Sequence, residues 1–84
     1  METFHLTMLD EKKIHYSGKA LSCIIATPSG KIGFMARHEN FIGVLSPSSE
    51  IHIADGNGAE TTIKADWGVL MFKDNNCLIT LARE

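Results

Sequence analysis

The sequence lacks several things at once. No apolar run approaches the 18 or so residues that a membrane span needs. The first residues, Met-Glu-Thr-Phe-His, show neither a charged leader nor an apolar signal core, so a cytoplasmic chain is expected. Basic patches are missing, and Lys12-Lys13 is too little for a nucleic-acid footprint. Formal net charge is only −2. No window repeats apolar residues at i, i+3, i+4 and i+7 between caps, which excludes an amphipathic helix. The two cysteines, Cys23 and Cys77, each sit inside an apolar segment without a second cysteine or histidine at ligand spacing. They read as buried reduced thiols, with a disulfide open only if their strands face each other.

The chemistry of an enzyme is equally scarce. No serine lies in a G-x-S-x-G elbow, and Ser17, Ser22, Ser29, Ser46, Ser48 and Ser49 read as turn or strand residues. His5, His15, His38 and His52 are each more than five residues from one another. Three of them occupy alternating strand positions where the exposed face would place them. Gly56-x-Gly58 is not followed by a helix, so a phosphate loop is excluded. No catalytic, metal-binding or cofactor-binding residue emerges, and the residues suggest a binding module.

What remains is alternation. Phe4, Leu6 and Met8 share one face of a first strand, and Ile14-His15-Tyr16 resumes the pattern after the polar turn Asp10 to Lys13. Ala20 to Ala26 is apolar on both faces near its end and reads as a central strand covered on both sides. Pro28, Ser29 and Gly30 turn the chain into a short strand, Ile32 to Met35, in which Gly33 suggests a bulge or a close backbone approach. A charged loop, Ala36 to Asn40, leads to Phe41–Leu45. Glu50–Ala54 and Glu60–Ala65 flank Asp55-Gly56-Asn57-Gly58, which holds two strong hairpin dipeptides. Trp67-Gly68 reads as a bend, and Val69–Phe72 and Cys77–Leu81 flank the turn Lys73 to Asn76. The expectation is one domain over residues 1–84, all-β, a sandwich or flattened barrel of about ten short strands. Its core is thin, because a chain of this size buries only about 60–65% of its unfolded surface.

The most specific stretch is Thr27 to Val44, where glycine and charge concentrate. Loops on a rigid β scaffold commonly carry binding, which singles out His38 between Arg37 and Glu39. With Phe4-His5-Leu6, Tyr16-Ser17-Gly18, Gly30-Lys31-Ile32-Gly33-Phe34, and His38 followed by Phe41-Ile42, the chain resembles the N-terminal β-sandwich domain of the F-type ATP synthase epsilon subunit. Trp67 to Phe72 and Cys77 to Leu81 resemble that family's last two strands. The resemblance covers almost the whole chain.

The resemblance implies a non-catalytic rotor subunit of a proton- or sodium-translocating ATP synthase. It would couple the gamma subunit to the ring of membrane c subunits, peripherally, at the cytoplasmic face of a bacterial membrane. It implies ring contact through Gly30, Lys31, Ile32, Arg37, His38 and Glu39. An apolar patch for gamma is expected on the strands bearing Leu6, Met8, Val69 and Met71. The isolated chain should be a monomer. Family members commonly continue into two regulatory helices, so a short form without helix-mediated inhibition is expected. Departures include the ring-facing loops, where the family's acidic residue is Lys31 and the residues around His38 are Ala36-Arg37 and Glu39-Asn40, and also Ser46-Pro47-Ser48 for the usual Lys-Pro-Gly turn and Trp67 for one glycine of a Gly-Gly pair. A free-standing sandwich that binds a small ligand or peptide is the competing reading.

Overall fold

A computed structural model describes residues 2–82. Among the described residues there are eight strands and no helix: β1 (Phe4–Leu9), β2 (Ile14–Thr27), β3 (Gly30–Met35), β4 (Phe41–Val44), β5 (Ser49–Asp55), β6 (Glu60–Ala65), β7 (Trp67–Lys73) and β8 (Asn76–Ala82). The expected number was about ten. The difference lies mainly in β2: Ile14–Tyr16 and Ala20–Ala26 are one strand of 14 residues, running through Ser17-Gly18 without a break. Trp67 opens β7 and does not form a bend.

The hydrogen-bonded order is β4-β7-β8-β1-β2-β5-β6, with β3 also paired to β2. All neighbours are antiparallel except β1 and β8. Ala20 is bracketed by Phe4 on one side and Asp55 on the other. Beyond it, Ser22 to Thr27 pair with β3 along the edge that β1 has just left. The register with β5 slips between Ala20 and Ser22, leaving Leu21 as an extra residue. Such a bulge bends a strand and raises its twist. β2 thus begins in the layer β4-β7-β8-β1 and ends in the layer β3-β2-β5-β6. The shortest dimension, 20 Å, fits two layers packed about 10 Å apart with outward side chains.

Strand alternation fills the space between the layers. Phe4, Leu6 and Met8 of β1, Leu70 and Phe72 of β7, and Cys77, Ile79 and Leu81 of β8 meet Cys23 and Ile25 of β2, Phe34 of β3 and Ile51 and Ile53 of β5. Phe72 is the hub, with its ring 5.4 Å from that of Phe4 and stacked at 5.7 Å on that of Phe34. Cys23 and Cys77 are both free and buried, and burial pushes each thiol up to about 12. Two expectations fail on burial. β2 is central in pairing but not covered on both sides, since Ile24 is 40% exposed on the outer face. Gly33 pairs regularly with Ile24, with ordinary space above its Cα. The close approach is at Gly68 instead, where an added Cβ would run into the Thr80 carbonyl oxygen, 3.2 Å from Leu81 and 3.3 Å from Leu45.

Candidate docking surface

The outer face of the layer β4-β7-β8-β1 is apolar along β4 and β7, where solvent would favour polar residues, whereas β8 and β1 present Asn76, Thr80, His5 and Thr7 on that side. Trp67, Val69 and Met71 point outward from β7, while Gly68, Leu70 and Phe72 between them are buried. The register sets Ile42 opposite Met71 and Val44 opposite Val69, so β4 adds its own outward apolar pair. On the other side of β7, Met71 is opposite the half-buried Leu78. Ile42 is 72% and Val44 54% exposed. A strand that is apolar at both parities reads as one covered on both faces. The core covers one face of β4 and β7, and nothing in the described chain covers the other. A shallow groove of about 430 Å³ at the β4–β7 end is lined by Asn40, Phe41, Ile42, Met71, Phe72 and Lys73.

The patch expected on Leu6, Met8, Val69 and Met71 is therefore divided. Leu6 and Met8 are fully buried and offer no surface, because their parity on β1 faces Phe72 and the core. Val69 and Met71 have the opposite orientation and lie on the exposed face. Ile42, Val44 and Trp67 belong with them. The signal for these three was present as two-sided apolarity in Phe41–Val44 and Trp67–Phe72.

The six loop residues also divide. Gly30 and Lys31 follow the β2–β3 turn, which Thr27 ties by accepting the Ser29 N–H at 3.2 Å and donating to the Gly30 carbonyl at 2.8 Å. Lys31 is exposed, whereas Ile32 turns inward against the core and presents little surface. Arg37, His38 and Glu39 lie at the other end of β3, about 17 Å away at about 3.3 Å per residue. The structure does not bring these two groups together.

The second group is held firmly. The His38 ring lies 4.7 Å from Phe34 and 5.6 Å from Phe72, so half of this histidine is wall, packed over the aromatic core. Its Nδ1–H donates to the Glu39 carbonyl at 2.7 Å, and its backbone N–H to the Met35 carbonyl at 3.1 Å. Arg37 has φ of 66°, a left-handed conformation that a long side chain rarely adopts. Its backbone N–H donates to Asn75 Oδ1 at 2.7 Å. Its guanidinium reaches Glu2 at 2.7 Å, a solvent-exposed pair worth well under about 1 kcal/mol. Asn40 Oδ1 accepts the Asp74 N–H at 3.3 Å.

His15 departs from the solvent-facing placement expected of strand histidines. The β1–β2 register moves from Met8–Tyr16 to Leu9–Ile14, so His15 is the extra residue of a bulge. Its Nε2 lies 2.7 Å from Asp10 Oδ2, with both side chains largely buried. That hydrogen bond, aided by the Lys12 and Lys13 backbone N–H groups on Oδ1, holds the Asp10 carboxyl well below the usual carboxylate range. No group of three or more His, Cys, Asp or Glu side chains that could hold a metal exists among the described residues. No helix among them is long and apolar enough to cross a membrane.

The fold is a two-layer β-sandwich whose outer surface is apolar along β4 and β7. Residues 3–83 match the model of the family described as ATP synthase, Delta/Epsilon chain, beta-sandwich domain, and the chain belongs to that family. Among solved structures, it superposes on a chain of the Euglena gracilis mitochondrial ATP synthase (OSCP/F1/c-ring, rotational state 1) with a TM-score of 0.88 and 18% identity. That match covers 96% of this chain and 51% of the other. A chain from the central stalk and c-ring of the Tetrahymena thermophila mitochondrial ATP synthase matches with a TM-score of 0.78 and 15% identity, covering 98% and 65%. At these identities the likeness concerns the fold, and the chain spans about half to two thirds of those proteins. No curated protein matches the sequence.

Proposed function

We propose that the protein is a non-catalytic rotor subunit of an F-type ATP synthase. In this reading it docks on the gamma subunit through the outer face of β4 and β7, and meets the c-ring with the ends of β3. It is then peripheral to the membrane, on its cytoplasmic face in a bacterium, and held there by its partners. The observation that carries the reading is the contiguous outward set Ile42, Val44, Trp67, Val69 and Met71 on a domain of this family. Exposed apolar residues clustered on one sheet face mark a protein-interaction site. Both solved relatives come from assemblies that contain a c-ring, which supports the ring as the second partner.

Val69→Lys and Met71→Lys test the first contact, because each puts a charge on the apolar face without touching the core. Each should weaken binding to the gamma subunit of the same complex by about tenfold or more, as desolvating an unpaired charge costs several kcal/mol. Unchanged affinity in titration calorimetry would remove gamma from this face. For the ring, Lys31→Glu and Arg37→Glu probe opposite ends of β3 separately. The reading requires that at least one of them uncouples ATP hydrolysis from ion pumping in the assembled complex while gamma binding persists.

A further inference from the structure

β4 is an edge strand, and its hydrogen-bonding parity can be read directly. The Leu45 N–H donates to the Gly68 carbonyl at 2.9 Å. Bonded pairs alternate along an antiparallel ladder, so Gly43–Leu70 and Phe41–Phe72 are the next bonded pairs. The N–H and C=O groups of Ile42 and Val44 therefore point away from β7. The sheet order ends at β4, and no strand of the described chain pairs with the outward groups of Ile42 and Val44; one step beyond β4, the Ser46 N–H of the same parity donates to the Ala26 carbonyl of β2 at 2.8 Å.

Natural proteins blunt such edges with charge, proline or a bulge. The opposite edge follows this habit, since β6 carries the charged residues Glu60 and Lys64 and the polar pair Thr61 and Thr62. β4 reads Phe-Ile-Gly-Val, has no charge and no proline, and pairs regularly throughout. Its bare backbone also adjoins the apolar face, since the exposed side chains of Ile42 and Val44 belong to both. A helix could cover the face but could not satisfy a row of backbone groups spaced two residues apart. An extended backbone does both.

We propose that β4 accepts an extended segment of the partner, which continues the sheet as a further strand. The segment pairs with the backbone of Ile42 and Val44 and lays alternate apolar side chains beside Trp67, Val69 and Met71. This rests on the reading of gamma as the partner and specifies the mode of docking: strand addition at an edge, together with packing on a face.

The full-length chain bound to its own gamma subunit tests this by amide hydrogen exchange. The Ile42 and Val44 amides should exchange freely in the unbound chain and slow at least about tenfold in the complex, as amides entering a ladder do. Val44→Pro provides the second arm. It removes an outward N–H, a position at which an edge strand tolerates proline, and leaves the β7 pairing intact. It should leave thermal unfolding nearly unchanged and weaken gamma binding about tenfold, whereas Val44→Thr should retain most of the affinity. If gamma binds and the two amides stay unprotected, strand addition is overturned while face docking stands. Protection of these amides in the free chain that rises with its concentration would assign the edge to a second copy and also overturn the proposal. Absence of gamma binding by the unmodified chain would remove both readings.

Discussion

Asn75 holds the backbone of Arg37 in place from 38 residues away, its Oδ1 accepting the Arg37 N–H at 2.7 Å. The same side chain donates through Nδ2 to the Thr3 carbonyl at 3.0 Å, so one amide ties the β3–β4 loop to the start of the chain. Asn75 can do this because the two-residue turn from Lys73 to Asn76 sets Asp74 and Asn75 at φ of 51° and 63°. Asparagine and aspartate tolerate that conformation in tight hairpins.

Replacing Asn75 with glycine keeps the turn and deletes both side-chain bonds. Stability should fall by about 1–2 kcal/mol, the worth of two partly exposed hydrogen bonds. Urea denaturation measures it. Asn75→Asp keeps the acceptor and should recover part of the loss. Full stability in Asn75→Gly would show that the loop is held by its other contacts, chiefly the packing of His38 and the Asn40–Asp74 hydrogen bond.

Gly68 and Gly43 are both crowded, but by different neighbours. At Gly68 the obstacle is the Thr80 carbonyl, a fixed part of the ladder. At Gly43 it is the ring of its own neighbour Phe41, a partly buried side chain that packs 5.5 Å from Phe34 but can shift more easily than a ladder carbonyl. Gly68→Ala should therefore cost about 2–3 kcal/mol, and Gly43→Ala no more than about 1 kcal/mol, by the rule for overpacked sites. Chemical denaturation of the two variants side by side checks the order.

Stability should fall in acid through Asp10. Its carboxyl is held low in the folded chain by His15 and two backbone N–H groups, so the unfolded chain takes up the proton first. The contribution is complete above the unfolded value, near pH 4, and is lost as the pH falls below it. Asp10→Asn should lower the thermal midpoint at pH 7 and make it less sensitive between pH 5 and pH 2. A parallel loss in both proteins across that range would exclude Asp10 as the source.

Cys23 and Cys77 should be inert to thiol reagents in the folded protein at pH 8, since the thiolate is the reactive form and burial pushes both groups to about 12. Denaturant should release both together. The sign at the other extreme follows from the same shift. Their contribution is full below the unfolded value, near pH 9, and is lost as the pH rises towards 12. Absorbance of a released thiol-reactive chromophore follows the first effect and alkaline unfolding the second.

Much of this could be read before the structure was known, for physical reasons that stop at identifiable residues. Period-2 alternation identified the strands of Phe4–Met8 and Glu50–Ala54, because one face of each is core. The Asp55-to-Gly58 turn was legible because Asp55 supplies its own acceptor to the Asn57 and Ala59 N–H groups. Alternation has no sign, however. It could not tell that Leu6 and Met8 face inward while Val69 and Met71 face outward, since both pairs have the same spacing. Nor could it see that Ser17-Gly18 lies within β2, where pairing to β1 overrides a local turn signal. His15 was misplaced because one extra residue in the ladder shifts parity. The separation of Lys31 from Arg37 follows from the strand between them, which was legible as Ile32–Met35 and which the pairing with β2 extends to Gly30–Met35.

The passage of β2 from one layer to the other also has a mechanical meaning. Layers held only by side-chain packing can slide over one another under load. Besides the connecting loops, one continuous strand spans both layers, hydrogen-bonded to β1 before the Leu21 bulge and to β3 and β5 beyond it. Twisting one layer against the other must therefore break ladder bonds or stretch a covalent chain. The two layers are thus joined by a covalent, ladder-bonded strand as well as by their shared core, and resist shear as one body.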